Sequence, residues 1–185
     1  MKAFAIVITA LAAAQGAFAA AAAQPAKTAA LDVSVPSFSG GTIPERYSSC
    51  RGGGNAAPSV TVSKIPRKAK TLALIMDDPD APAKVWVHWT VFNIPVSSAT
   101  VVIDGMPKGK HNPARQGAND YGDNRYDGPC PPSGTHHYVL HAYALDSALA
   151  LPDGVSRDKL DAAINAHKLA QGSASAKYTL KSASR

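Results

Sequence analysis

The sequence predicts a mainly β domain with long loops and one late helix. Three observations carry this. Apolar and β-branched residues recur with period two, or in runs too short for a helix. Nothing alternates strand with helix in the way that a parallel sheet requires. Helical spacing occurs once after the N-terminus, close to the end of the chain. At 185 residues, with no repeat and no second shift of composition beyond its N-terminal stretch, the chain suits a single domain.

In chain order, residues 1–19 read as a secretory signal peptide. Lys2 provides a positive start, AFAIVITALAAA (3–14) is an apolar core, and Ala17-Phe18-Ala19 is a small-x-small cleavage site. Cleavage falls between Ala19 and Ala23. The apolar run is too short to span a bilayer, so no integral membrane segment is expected in the mature chain. Residues 20–30 form a polar and alanine-rich leader, expected to be flexible. The single domain then occupies residues 31–185. SVTVSKI (59–65) alternates as a half-buried strand does, and TLALIM (71–76) is a continuous apolar run, the pattern of a strand covered on both faces. VWVHWTVFNI (85–94) is rich in β-formers and stops at Pro95; VVID (101–104) suits a short edge strand. Residues 105–135 are crowded with Gly, Pro, Asn and Asp and read as one long loop, a length that usually marks function or disorder. HHYVLHAYALD (136–146) is the last clear strand. Ser156 suits a helix N-cap, Leu160, Ala163, Ile164 and His167 share a face, and Gly172 is the expected stop.

The formal net charge is +6, and no basic run is longer than RKAK (67–70), so a nucleic-acid groove is not supported. Two cysteines, Cys50 and Cys130, allow one disulfide in an exported protein; two buried thiols are the alternative.

Chemistry concentrates in two stretches. DDPDAPAKVWVHW (77–89) sets Asp77, Asp78 and Asp80 among prolines just before His88. Strict alternation puts Trp86, His88, Thr90 and Phe92 on one face and Val87, Trp89 and Val91 on the other. A histidine among large apolar groups needs hydrogen-bond partners, and an aspartate that raises its pKa is the expected one. YDGPCPPSGTHHYVLHAY (126–143) is a Pro/Gly-stiffened loop running into a strand with His136 and Tyr138 on one face and His137 and His141 on the other. If the two stretches meet, Asp78 and Asp80 lie behind a pocket flanked by His88 and His136, with Tyr138 at its rim. Converging donors of this kind suit an oxyanion.

These motifs resemble the phosphatidylethanolamine-binding protein family, in particular its bacterial, Raf kinase inhibitor-like branch. The likeness lies in DDPDAP with WVHW, in GPCPPSGTHHYVLHAYALD, and in IPERYSSC (43–50) at the expected order and spacing. It spans roughly residues 31 to 180. The resemblance implies a β-sandwich of two antiparallel sheets and a pocket for phosphate-bearing groups formed by Asp78, Asp80, His88, Cys130, His136 and Tyr138. It also implies a binding or regulatory role with no shared catalytic reaction and no cofactor. The sequence departs from the branch at Cys50-Arg51-Gly52-Gly53, where an acidic residue usually follows the Cys, and at His137, where Arg is common. His111, Arg115 and Arg125 in the long loop read as solvated rather than as ligands.

The expected protein is thus a periplasmic or secreted binder of a small phosphate-bearing ligand. Two other classes compete. One is a protease or kinase inhibitor acting through surface loops. The other is a hydrolase or metalloenzyme using the Asp/His pocket. Metal is disfavoured because the ligands lack tight local spacing, and a Ser133 nucleophile because no strand-turn-helix elbow surrounds it.

Overall fold

The structure is a computed structural model that describes residues 29–105 and 114–180. The expected signal peptide and most of the leader lie outside these residues, as does His111. Nine strands and one helix follow in order: β1 (Ala29–Ala30), β2 (Asp32–Ser34), β3 (Ser59–Ser63), β4 (Thr71–Asp78), β5 (Trp86–Pro95), β6 (Thr100–Asp104), β7 (Arg115–Gln116), β8 (Thr135–Leu145), α1 (Arg157–His167) and β9 (Lys168–Thr179). Six strands form one sheet in the order β1-β9-β8-β4-β5-β7, and three form a second in the order β2-β3-β6.

Two apolar layers hold these elements. Val60, Val62 and Ile103 from the small sheet pack with Leu72, Leu74, Met76, Trp89 and Val91 from the large one. On the far face of the large sheet, Ala73, Ile75 and Phe92 meet Leu160 and Ile164 of α1. β4 is buried along its whole length. Its alternate residues therefore serve different layers, which is why its sequence reads as an unbroken apolar run. The same alternation continues to its end, so that Asp77 and Asp78 leave the strand on opposite faces of the sheet.

The mainly β fold of two sheets with a C-terminal helix is as expected, with four differences. The helix stops at His167 rather than Gly172, and β9 follows without a break. Gly172 lies inside β9, where a Cβ would come within 2.2 Å of the Leu31 carbonyl oxygen; close approach, not helix termination, requires glycine there. The sheets are not wholly antiparallel, since Ala29 and Ala30, the end of the expected leader, pair parallel to Ala170 and Gln171. The 105–135 loop contains β7, which adds to the edge of β5.

The fourth difference concerns β5. Met76 pairs with Trp89 but Asp77 pairs with Val87, so His88 is an extra residue opposite the β4 ladder. A bulge of this kind breaks the period of two. Trp89 and Val91 pack between the sheets while Phe92 faces the helix. His88, expected on the face of Thr90 and Phe92, instead meets the ring of Tyr138, a residue of the inter-sheet core, at 5.2 Å. A second register shift, near Asn93 (φ 58°), lets Ile94 rejoin the inter-sheet layer.

Candidate functional site

The end of the large sheet brings the two chemical stretches together. β4 ends in Asp78, β8 begins with His136, and the bulge of β5 offers His88. His136 Nδ1 lies 2.7 Å from Asp78 Oδ2, with both side chains almost fully buried. The other oxygen, Asp78 Oδ1, accepts the Asp80 backbone N–H at 2.8 Å, which closes the turn through Pro79. Tyr138 follows two residues after His136 on the same face. Its hydroxyl is buried beside the Asp78 carboxylate, and burial followed by that carboxylate raises its pKa. The phenol therefore stays protonated.

His88 is held differently from the expectation. Its Nδ1 lies 2.7 Å from the backbone carbonyl oxygen of Asp127, not from an aspartate side chain. A carbonyl only accepts, so Nδ1 carries the proton and Nε2 of the neutral ring is bare. Burial lowers the His88 pKa, and the Asp127 carbonyl and Asp78 only partly offset this. The expected rise is thus reversed, because desolvation of a buried cation outweighs its acceptors.

Asp80 also departs from its expected place behind the pocket. Its carboxylate accepts both the backbone N–H and the ring Nδ1–H of His137, each at 2.8 Å, on the exposed side of the strand. These bonds hold the Asp80 pKa below the ordinary carboxylate value. His137 thus serves the outer turn and leaves His136 undisturbed. Cys130 is bonded to Cys50, with the α-carbons 5.0 Å apart. Cys130 is exposed, and Arg51 beside its partner is exposed as well.

Several residues at the site carried no recognisable sequence signal. The Asp127 carboxylate is buried and accepts from Asn55 Nδ2 (2.9 Å), Asn119 Nδ2 (2.8 Å) and Arg125 Nε (3.2 Å). Burial works to raise its pKa, but these donors prevail and lower it. Asn55 Oδ1 in turn accepts the Gly128 N–H at 2.8 Å. This network fixes the Asp127 carbonyl that orients His88. Tyr121, half exposed, sits edge-on to both Trp86 (5.4 Å) and His88 (5.7 Å), so that Trp86, Tyr121, His88 and Tyr138 make a continuous aromatic row. Trp86 was legible as a neighbour of His88, whereas Asn55, Asn119 and Tyr121 come from segments distant in sequence. Among the described residues, no three His, Cys, Asp or Glu side chains are arranged to hold a metal ion.

Two packed sheets with buried imidazoles at one end define a β-sandwich with a buried polar cluster. A family profile described as phosphatidylethanolamine-binding protein matches residues 34–179, and the chain belongs to that family. A UPF0098 protein of Methanothermobacter thermautotrophicus is 46% identical over 133 residues, 71% of this chain and 86% of that protein. The UPF0098 protein of Chlamydia muridarum is 40% identical over 136 residues, covering 71% of this chain and 86% of the relative. Among solved structures, E. coli YbcL, titled a new member of the mammalian family, aligns with a TM-score of 0.71 and 33% identity over 83% of this chain and 100% of that one. A phosphatidylethanolamine-binding protein homologue from Chlamydia trachomatis aligns with a TM-score of 0.68 and 34% identity over 84% and 99% of the two chains.

Proposed function

We propose that the protein is an exported binder of a small phosphate-bearing anion, with Asp78, His88, His136 and Tyr138 as its recognition groups and no catalytic step of its own. One observation carries this reading. His88 and His136 are both buried, and each has Nδ1 2.7 Å from a fixed acceptor, so that Nε2 is the ring atom left to meet a ligand. The His88 ring, kept neutral by burial, accepts a proton at Nε2. An anion therefore binds either with its own acidic hydrogen or with proton uptake by the protein, after which Nε2–H becomes a charge-assisted donor. The aromatic row limits water around such a bond, and the Asp78 oxygens are tied to His136 and the Asp80 N–H. Export is supported by the signal-like N-terminus and by the Cys50–Cys130 disulfide, which suits an oxidising compartment.

Calorimetry with phosphate, phosphoethanolamine and sulfate between pH 5 and 8 tests the reading. Sulfate carries no proton in this range, so its profile reports the protein alone. Affinity for sulfate should fall as pH rises, because His88, with its lowered pKa, must take up a proton. His136→Ala should weaken phosphate binding by about 1.5–3 kcal/mol, the range for a hydrogen bond to a charged group. A folded protein that binds none of the three anions would leave inhibition through surface loops as the better account.

A further inference from the structure

The far face of the large sheet, behind the anion site, holds a second cavity of about 490 Å³ between β4, β5, β8 and α1. Val85, Val87 and Val139 form its apolar wall, and Val85 is half exposed at its mouth. Its other side is ionic. Asp77 is 4% exposed and lines the cavity. Arg157 bridges two acids, with Nη1 2.6 Å from Asp77 Oδ1 and Nε 2.8 Å from Asp161 Oδ2. The other oxygen, Asp77 Oδ2, has His141 Nε2 at 3.7 Å, beyond hydrogen-bond reach. Burial keeps His141 neutral by lowering its pKa more than Asp77 raises it.

A carboxylate oxygen has more than one lone pair, so one at the wall of a cavity can accept from a ligand placed there. The formal charges give a direction. Two aspartates against one arginine leave the cavity one negative charge in excess, while the arginine's Nη1 and Nε are already committed to those acids. The complement is a donor-rich monocation with an apolar body.

We propose that this cavity is a second ligand site, for a small primary amine on a short hydrocarbon chain. The ammonium donates to Asp77 Oδ2 and to the exposed edge of Asp161, with the chain against Val85, Val87 and Val139. The site is separate from the proposed anion site, since Asp77 and Asp78 are adjacent but leave β4 on opposite faces.

The test is a titration of the full chain with isopentylammonium, followed by methyl and histidine NMR, with neutral isopentanol and anionic isovalerate as isosteres. Saturable shifts are expected at Val85, Val87, Val139 and His141, with both isosteres weaker by about tenfold or more, as for loss of a charge-assisted hydrogen bond. Asp77→Asn should abolish the preference for the amine. Because Asp77 is buried and that variant is at risk of misfolding, Asp161→Asn, at a half-exposed position, is the second variant; it should keep the native spectrum and lose several-fold in amine affinity. Absence of saturable shifts with the amine overturns the proposal. So does equal binding of isopentanol, which would make the cavity a plain apolar crevice, or tighter binding of isovalerate, which would make Arg157 the recognition group.

Discussion

His88 and His136 are both buried imidazoles with Nδ1 engaged, yet their partners differ: a neutral carbonyl for the first and a carboxylate for the second. His88 has its pKa lowered by burial, and so has His141 on the opposite face. The unfolded chain, with ordinary histidines near pH 6.5, then binds more protons than the native state as pH falls below that value. Stability from this source is intact above about pH 6.5 and declines toward the lowered native pKa values. The partly exposed His141 contributes less. Asp80 and Asp127, whose pKa values are lowered, act only below about pH 4. Urea denaturation midpoints should therefore drop between pH 7 and 5, before the carboxylates titrate; midpoints that hold steady or rise over this interval would contradict the assignment. The chemistry of Asp78, His136 and Tyr138 was readable because strand alternation and one loop bring them together. That of Asp127 was not, because its value lies in a backbone carbonyl and in two asparagines, Asn55 and Asn119, that reach it only after folding.

At the scale of elements, the site depends on irregularities. Without the bulge, His88 would follow Thr90 and Phe92 toward the helix; the extra residue turns it to Tyr138. Sequence shows strict alternation and not its interruptions, so the strand was legible and the facing of its histidine was not. β9 escaped for a different reason. KLAQGSASAKYT has almost no β-branched or aromatic residues, and it is a strand because β8 pairs with it along nearly all its length. The 126–130 loop is held against the segment of Tyr47 by contact as well as by hydrogen bonds. Tyr126 donates its hydroxyl to the Tyr47 carbonyl at 2.8 Å, and a Cβ on Gly128 would lie 1.8 Å from that same oxygen. Gly128→Ala must push backbone from backbone, next to the carbonyl that holds His88. It should cost about 1–3 kcal/mol or more, in the range of overpacking, and should weaken anion binding as well; a variant with wild-type thermal stability would show that the loop yields without effect.

For the whole molecule, the disulfide ties the segment after Tyr47 to the end of the long loop, across a sequence separation of 80. The loop-entropy relation gives roughly 3–5 kcal/mol for a crosslink of that span, a large share of the stability of a single domain. Reduction should lower the denaturation midpoint accordingly and loosen the Asp127–Gly128 backbone beside His88. A reduced protein as stable as the oxidised one would mean that packing alone fixes the loop. The layered plan also sets both candidate sites: one sheet, covered by a second sheet on one face and by α1 on the other, sends Asp78 to the first side and Asp77 to the second. The central claim is that the free nitrogens of two buried imidazoles receive the anion. Nitrogen-15 NMR of the histidine rings tests it most directly. On addition of sulfate near pH 6, the Nε2 resonance of His88, whose pKa is lowered by burial, should move from the unprotonated to the protonated range while Nδ1 stays protonated, and the His136 ring resonances should shift with the same saturation. If sulfate binds while His88 Nε2 remains unprotonated and the His136 resonances do not move, the anion is held by other groups and the account is wrong.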